Sequence, residues 1–176
     1  MAQIHQMPQV HLILGGARSG KSGYAEQIAL STSQAVTYVA TAQALDSEMS
    51  ERIAHHQTQR PNHWLTIEEP IQLARVIKQH DDQGQVILVD CLTLWLMNII
   101  YQEQDVQVAI DDFLAALQSV KGTVLLVSNE ISMGVVPMGK TSRDYVDSLG
   151  RLHQAIGRIA DKVTLMVAGI PMAVKS

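Results

Sequence analysis

The chain has 176 residues, 47% of them hydrophobic and only 4% aromatic, which is enough apolar side chain for one compact domain and excludes a disordered chain. Thirteen Lys and Arg against 17 Asp and Glu leave a net charge of −4, so no basic field is present to hold nucleic acid. Cys91 is the single cysteine, which excludes an internal disulfide and an all-cysteine metal site and fits a reducing compartment.

The first ten residues carry no Lys or Arg and no apolar core of signal-peptide length. A single domain over 1–176 is expected, with 1–9 as a flexible extension. The first β-branched apolar run, 10–14, reads as a buried strand. Directly after it comes Gly15-Gly16-Ala17-Arg18-Ser19-Gly20-Lys21-Ser22. This satisfies G-x-x-x-x-G-K-[ST], placed between a strand and a helix predicted over 22–30, as the motif requires. The glycines let backbone N–H groups turn inward around phosphate oxygens, and the helix adds the positive end of its dipole. Lys21 can neutralise the β- and γ-phosphates, and the Ser22 hydroxyl can ligate Mg²⁺. A bound nucleoside triphosphate is the expectation.

A second strand is predicted over 36–40, followed by a helix over 47–56 with Asp46 as its N-cap. That helix closes on His55 and His56. Three readings compete for the pair. Cations at a helix C-terminus meet the dipole favourably, worth about 0.3–1 kcal/mol. Joint chelation of one metal ion is disfavoured, because adjacent helical side chains point about 100° apart. An imidazole can also attack phosphorus and form a phosphoramidate, which splits one transfer into two steps.

A third strand over 86–89 ends on Asp90, placed to hold Mg²⁺ beside the phosphate loop; capping the helical segment 92–100 is its structural alternative, a role Thr93 could fill equally well. The apolar stretch 86–101 is interrupted by Asp90 and Asn98 and falls short of the roughly 20 residues of a membrane span. A cytoplasmic protein without membrane insertion is expected. Helices follow over 105–120 and 142–160, the latter with Val146, Leu149, Leu152, Ile156 and Ile159 on one side. Strands over 124–127 and 163–167 complete the pattern. Strands alternating with helices predict a mainly parallel sheet covered on both faces, with its site at the carboxyl ends of the strands.

Together, these motifs resemble one family. The phosphate loop at 15–22, Ala40-Thr41-Ala42, Arg52-Ile53-Ala54-His55-His56 and Arg60-Pro61 are similar to the bifunctional adenosylcobinamide kinase/adenosylcobinamide-phosphate guanylyltransferases. So are Val89-Asp90-Cys91-Leu92-Thr93, Ser128-Asn129-Glu130, Met133-Gly134-Val135-Val136-Pro137 and Ala168-Gly169-Ile170-Pro171. The resemblance runs collinearly over nearly the whole chain, from about 11 to 175. It implies an α/β fold, RecA-like and of the phosphate-loop NTPase type, and a homotrimer. It also implies two reactions. ATP or GTP first phosphorylates the aminopropanol hydroxyl of adenosylcobinamide. A histidine then takes GMP from GTP and passes it to adenosylcobinamide phosphate. The GMP-carrying histidine falls on His56. Guanine-nucleotide contacts fall on Gly15–Ser22, Ala40, Thr41, Ala42, Gln57, Thr58, Gln59, Arg60, Glu68 and Asp90. Mg²⁺ falls on Ser22 and Asp90.

Residue chemistry is compatible with those roles. Arg60 offers a fixed fork of donors to a transferring phosphoryl group. Glu68 is an acceptor pair suited to the N1–H and N2–H₂ edge of guanine; its structural alternative is an exposed acid at a helix start before Pro70. Two positions depart from the family pattern: Ser132 stands where Gly is usual, and His153 where Asn is usual. A plain small-molecule kinase and a non-catalytic nucleotide switch remain the rival functions.

Overall fold

The computed structural model describes residues 9–43 and 61–176. In chain order the described elements are β1 (Val10–Gly15), α1 (Lys21–Ser31), β2 (Ala35–Ala40), β3 (Leu65–Glu68), α2 (Leu73–His80), β4 (Gln85–Asp90), α3 (Leu92–Tyr101), α4 (Val106–Gln118), β5 (Thr123–Asn129), α5 (Lys140–Ile159), β6 (Lys162–Val167) and β7 (Ile170–Lys175). The predicted helix 47–56 and its histidine pair lie outside the described residues.

The seven strands form one sheet in the order β3-β2-β4-β5-β1-β6-β7. Every neighbouring pair is parallel except β6 and β7. Burial on both faces explains the continuous apolar runs in β1, β2, β4 and β5. Leu12, Val39, Val89, Val124 and Leu126 face a layer built from α2, α3, α4 and α5, with Trp95, Phe113 and Leu152 at its centre. The alternate residues Ile13, Tyr38, Leu88, Leu125 and Val127 pack with Ala25 and Ala29 of α1 on the other face. Alanine at those two positions lets α1 lie close to the sheet.

Three described elements went unread in the sequence. β3 is four residues long and mostly exposed, so it carries no apolar run. β7 is exposed along its whole length and contains Pro171, which an edge strand tolerates and an inner strand does not. α2 has only eight residues. The hairpin joining β6 to β7 pairs Val167 with Ile170 across Ala168 and Gly169, both at positive φ (51° and 80°). That is the two-residue turn whose twist matches a right-handed sheet. Asp105 starts α4 as its N-cap, accepting from the N–H groups of Gln107 (2.9 Å) and Val108 (3.1 Å). The carbonyl of Gln9, in the segment expected to be flexible, accepts from the Val124 N–H at 2.6 Å and so belongs to the sheet margin.

His11 sits inside β1 with 1% of its surface exposed, its Nε2 at 2.8 Å from the Thr164 hydroxyl. Burial, assisted by the charge of Lys162, lowers its pKa from 6.5 to about 4. The unfolded chain therefore takes up a proton at this ring before the folded chain does. Its contribution to stability is complete above pH 6.5 and is lost as pH falls towards 4. Urea unfolding should show His11 alone costing roughly 2–3 kcal/mol at pH 4.5 relative to pH 7. His11→Gln should remove that component; an unchanged pH slope in the variant would contradict the assignment.

Candidate functional site

β1 delivers the chain to Gly15 at the carboxyl edge of the sheet, and the loop that follows returns it into α1 at Lys21. Gly15 has no room for a side chain: a Cβ there would lie 2.9 Å from the Met166 carbonyl oxygen and collide with the Ser19 hydroxyl. Gly20, at φ +90°, takes a backbone conformation that an L side chain strains. Ser19 N–H closes the turn on the Gly16 carbonyl at 3.2 Å. α1 begins with no side-chain cap, so its first N–H groups are free to meet an anion. Gly15→Ala should abolish nucleotide binding while leaving the rest of the sheet folded, because the clash falls on the loop and on the strand edge that frames it. Titration with a fluorescent GTP analogue checks this; normal affinity in the variant would contradict it.

The loop borders a cavity of about 560 Å³ lined by Ala17, Arg18, Ser19, Gly20, Lys21, Ser22 and Gly23, with Asp90, Cys91 and Asn129 closing it. Lys21 is 8% exposed and donates from Nζ to the Gly16 carbonyl at 3.0 Å. Burial lowers its pKa, and the Asp90 carboxylate opposes that shift. The Ser19 hydroxyl is buried with no hydrogen-bond partner among the described residues. A buried unpaired hydroxyl costs about 1–3 kcal/mol, a cost that a phosphate oxygen in the cavity would remove.

Asp90 ends β4 and accepts from the Tyr38 hydroxyl at 3.0 Å. Its carboxylate and the Ser22 hydroxyl line the same cavity. These are hard oxygen donors of the kind Mg²⁺ takes one or two at a time, with phosphates and water completing its shell. Among the described residues no cluster of three or more His, Cys, Asp or Glu could hold a metal by protein ligands alone. The neighbouring Cys91 thiol is pushed up to about 11, mainly by burial and then by Asp90, so it lines the cavity as an uncharged group.

Thr41 is wholly buried, and its side chain serves the protein. Its hydroxyl donates to the Cys91 carbonyl (2.7 Å) and accepts from the Cys91 N–H (2.8 Å), pinning the turn after Asp90. Asn98 Nδ2 in turn donates to the Thr41 carbonyl at 2.8 Å. Ala40 ends β2, Thr41 and Ala42 follow it, and Glu68 ends β3 in register with Ala40. The structure thus gathers residues 15–22 and Asp90 around one cavity. It sets Ala40–Ala42 and Glu68 further along the same sheet edge, outside the cavity wall. His56, Gln57, Thr58, Gln59 and Arg60 lie outside the described residues.

Two contributors stand in segments that carry the family resemblance but were given no role in the site. Asn129 ends β5 and closes the cavity, a position the strand-end rule points towards. Gly169, in the β6–β7 turn, donates its N–H to the Ser19 carbonyl at 3.1 Å and buttresses the loop from behind.

The model of the cobinamide kinase / cobinamide phosphate guanyltransferase family matches residues 11–174. The chain is 50% identical over 166 residues to a bifunctional adenosylcobalamin biosynthesis protein, CobP, of Pseudomonas aeruginosa, covering 93% of this chain and 96% of that one. It is 37% identical over 179 residues to the bifunctional protein CobU of Escherichia coli, covering 93% and 98%. Among solved structures it resembles a Pyrococcus horikoshii protein (TM-score 0.56, 8% identity, 96% of this chain and 86% of that one). It also resembles an ATPase from the type III secretion system of pathogenic bacteria (TM-score 0.53, 13% identity, 89% and 50%). At such identities these likenesses speak to the fold alone.

Proposed function

Because the chain belongs to the cobinamide kinase / cobinamide phosphate guanyltransferase family of adenosylcobalamin biosynthesis, we propose that one nucleotide site serves two successive reactions. In the first, the γ-phosphoryl group of ATP or GTP moves to the aminopropanol hydroxyl of adenosylcobinamide, and a nucleoside diphosphate leaves. In the second, a ring nitrogen of His56 bonds to the α-phosphorus of GTP as pyrophosphate departs. The phosphate of adenosylcobinamide phosphate then displaces the histidine, giving adenosylcobinamide-GDP and a free imidazole.

The observation that carries this reading is the cavity itself. It joins the buried ammonium of Lys21, an unpaired Ser19 hydroxyl and the Asp90 carboxylate at the edge of the phosphate loop. Backbone N–H groups and Lys21 would stabilise the charge that spreads over the phosphoryl oxygens during transfer, the dominant need of this chemistry. Ser22 and Asp90 would hold Mg²⁺, which supplies further charge neutralisation when bound. Gln57, Thr58, Gln59 and Arg60 follow His56 in sequence and would meet the phosphates of the guanine nucleotide, with Arg60 supplying a second cation.

A homotrimer is part of the proposal. Support comes from apolar side chains left open on β7, where Ile170 is 66% and Val174 63% exposed, because a bare apolar edge strand invites cover. We place the enzyme in the cytoplasm, where its nucleotide substrates reside; among the described residues no helix is long and apolar enough to cross a membrane.

The test is a two-stage incubation read by mass spectrometry. Adenosylcobinamide with ATP should gain one phosphate, and adding GTP should then add GMP. A substrate that stays unmodified at both stages would contradict the proposal. Glu68 is the proposed guanine reader, and a site that hydrogen-bonds one base rejects another because its acceptors are left unpaired. Glu68→Ala should lower the preference for GTP over ATP in the second stage by about tenfold or more. An unchanged ratio would return Glu68 to the role of a surface acid.

A further inference from the structure

Behind the phosphate loop, on the face of the sheet opposite α1, four polar side chains are linked in a line that the two-reaction scheme leaves unused. Asn129 N–H donates to the Thr93 hydroxyl at 2.7 Å. Thr93 Oγ1 lies 3.2 Å from Ser128 Oγ, and Ser128 Oγ lies 2.8 Å from His153 Nε2. His153 Nδ1 in turn faces Glu130 Oε2 at 3.9 Å. Thr93 and Ser128 are buried, and the Glu130 and His153 side chains are 13% and 10% exposed.

The line supports one consistent direction. Asn129 N–H donates to the Thr93 hydroxyl; with Thr93 donating to Ser128 and Ser128 donating to Nε2 of His153, the ring proton falls on Nδ1, facing the carboxylate. Burial holds the His153 pKa below its ordinary value against the pull of Glu130, so the ring meets the carboxylate as a neutral N–H dipole. Glu130 Oε1 is engaged by the N–H (2.6 Å) and the hydroxyl (2.5 Å) of Ser132. Ser132 therefore holds Oε1, while Oε2 faces the His153 ring at 3.9 Å, and among the described residues no Lys or Arg forms an ion pair with the carboxylate.

Its location gives this arrangement a use. Glu130 N–H donates to the Gly15 carbonyl at 3.0 Å, at the first residue of the phosphate loop, and the preceding residue Asn129 lines the nucleotide cavity. On its other side runs an exposed apolar loop, with Met133 77%, Val135 96% and Met138 97% open. The Glu130 backbone thus joins the phosphate loop to an open apolar surface, next to the cavity-lining Asn129, and a large, partly apolar acceptor spanning the two would bring its hydroxyl past this residue.

We propose that Glu130 accepts the proton of the acceptor hydroxyl during phosphoryl transfer, and that His153 is the positioning residue that aims it. As the hydroxyl oxygen bonds to the γ-phosphorus, the bond from that phosphorus to the β,γ-bridging oxygen breaks. The nucleoside diphosphate keeps that electron pair, the hydroxyl proton passes to Glu130, and solvent later removes it. The inference rests on the kinase half of the proposed function, and it concerns the proton rather than the nucleotide.

The test is steady-state kinase kinetics on the full chain with adenosylcobinamide and ATP. Glu130→Gln keeps the shape and the Ser132 contacts but cannot take a proton, so kcat should fall by about 10²-fold or more, the usual scale of general-base removal, with the KM for ATP within about twofold. His153→Ala should lower kcat by about tenfold at unchanged KM, and His153→Asn, which restores one donor and one acceptor, should recover most of it. A kcat within about threefold of wild type in Glu130→Gln would overturn the proposal. So would a joint loss of kcat and ATP binding, which would make Glu130 a prop of the loop. Equal losses in His153→Ala and His153→Asn would overturn the positioning role. A wild-type chain without kinase activity would instead defeat the functional reading beneath it.

Discussion

His56→Ala should lose guanylyl transfer completely and keep the kinase reaction. Direct phosphoryl transfer to a hydroxyl needs positioning, charge neutralisation and Lys21, but no protein nucleophile. Transfer through a covalent nucleotide cannot proceed without the attacking nitrogen, so no residual rate is expected from the phosphate loop alone. The assay is product analysis with each donor separately: adenosylcobinamide phosphate should still form from ATP, and the GDP-linked product should not form from GTP. His55→Ala is the control and should retain both activities. Loss of transfer in His55→Ala with retention in His56→Ala would exchange the roles of the pair.

Lys21→Ala should remove both reactions, because each requires a triphosphate in the same loop. In the structure the Lys21 ammonium is buried at the cavity wall and held on the Gly16 carbonyl, within the field of Asp90. Losing one preorganised cation at a site of developing charge removes several kcal/mol of transition-state stabilisation, a rate loss on the order of 10²–10³. Single-turnover rates for each step measure it. Normal turnover of either reaction in Lys21→Ala would show that this reaction does not use the loop.

These two variants also mark where the sequence was informative. The phosphate loop was legible because its chemistry is local: eight consecutive residues carry the glycines, the cation and the hydroxyl, and the flanking strand announces itself as a buried β-branched run. Asp90 was legible for the same reason, as an acid closing an apolar strand. Contributions made across the sheet were not. The family resemblance puts a nucleotide contact on Thr41, and the structure adds what no spacing shows: its hydroxyl pins the Cys91 backbone. Gly169 supports Ser19 from the far end of the chain, a relation that no local spacing encodes. The edge strands β3 and β7 were missed because exposed strands lose the continuous apolar signal that inner strands carry. His153 stood out only as a departure from a family pattern, and the structure supplies the physical context: a ring linking Ser128 to Glu130.

The covalent intermediate is the claim on which the two-reaction account turns, and one labelling experiment addresses it directly. Wild-type protein is incubated with GTP carrying its label on the α-phosphate, denatured to release bound nucleotide, and digested for peptide mapping. The account predicts label in the peptide containing His56, through a bond that acid cleaves and alkali spares, as a phosphoramidate behaves and a serine phosphoester does not. Protein without label, or label confined to a peptide lacking His56, would contradict it.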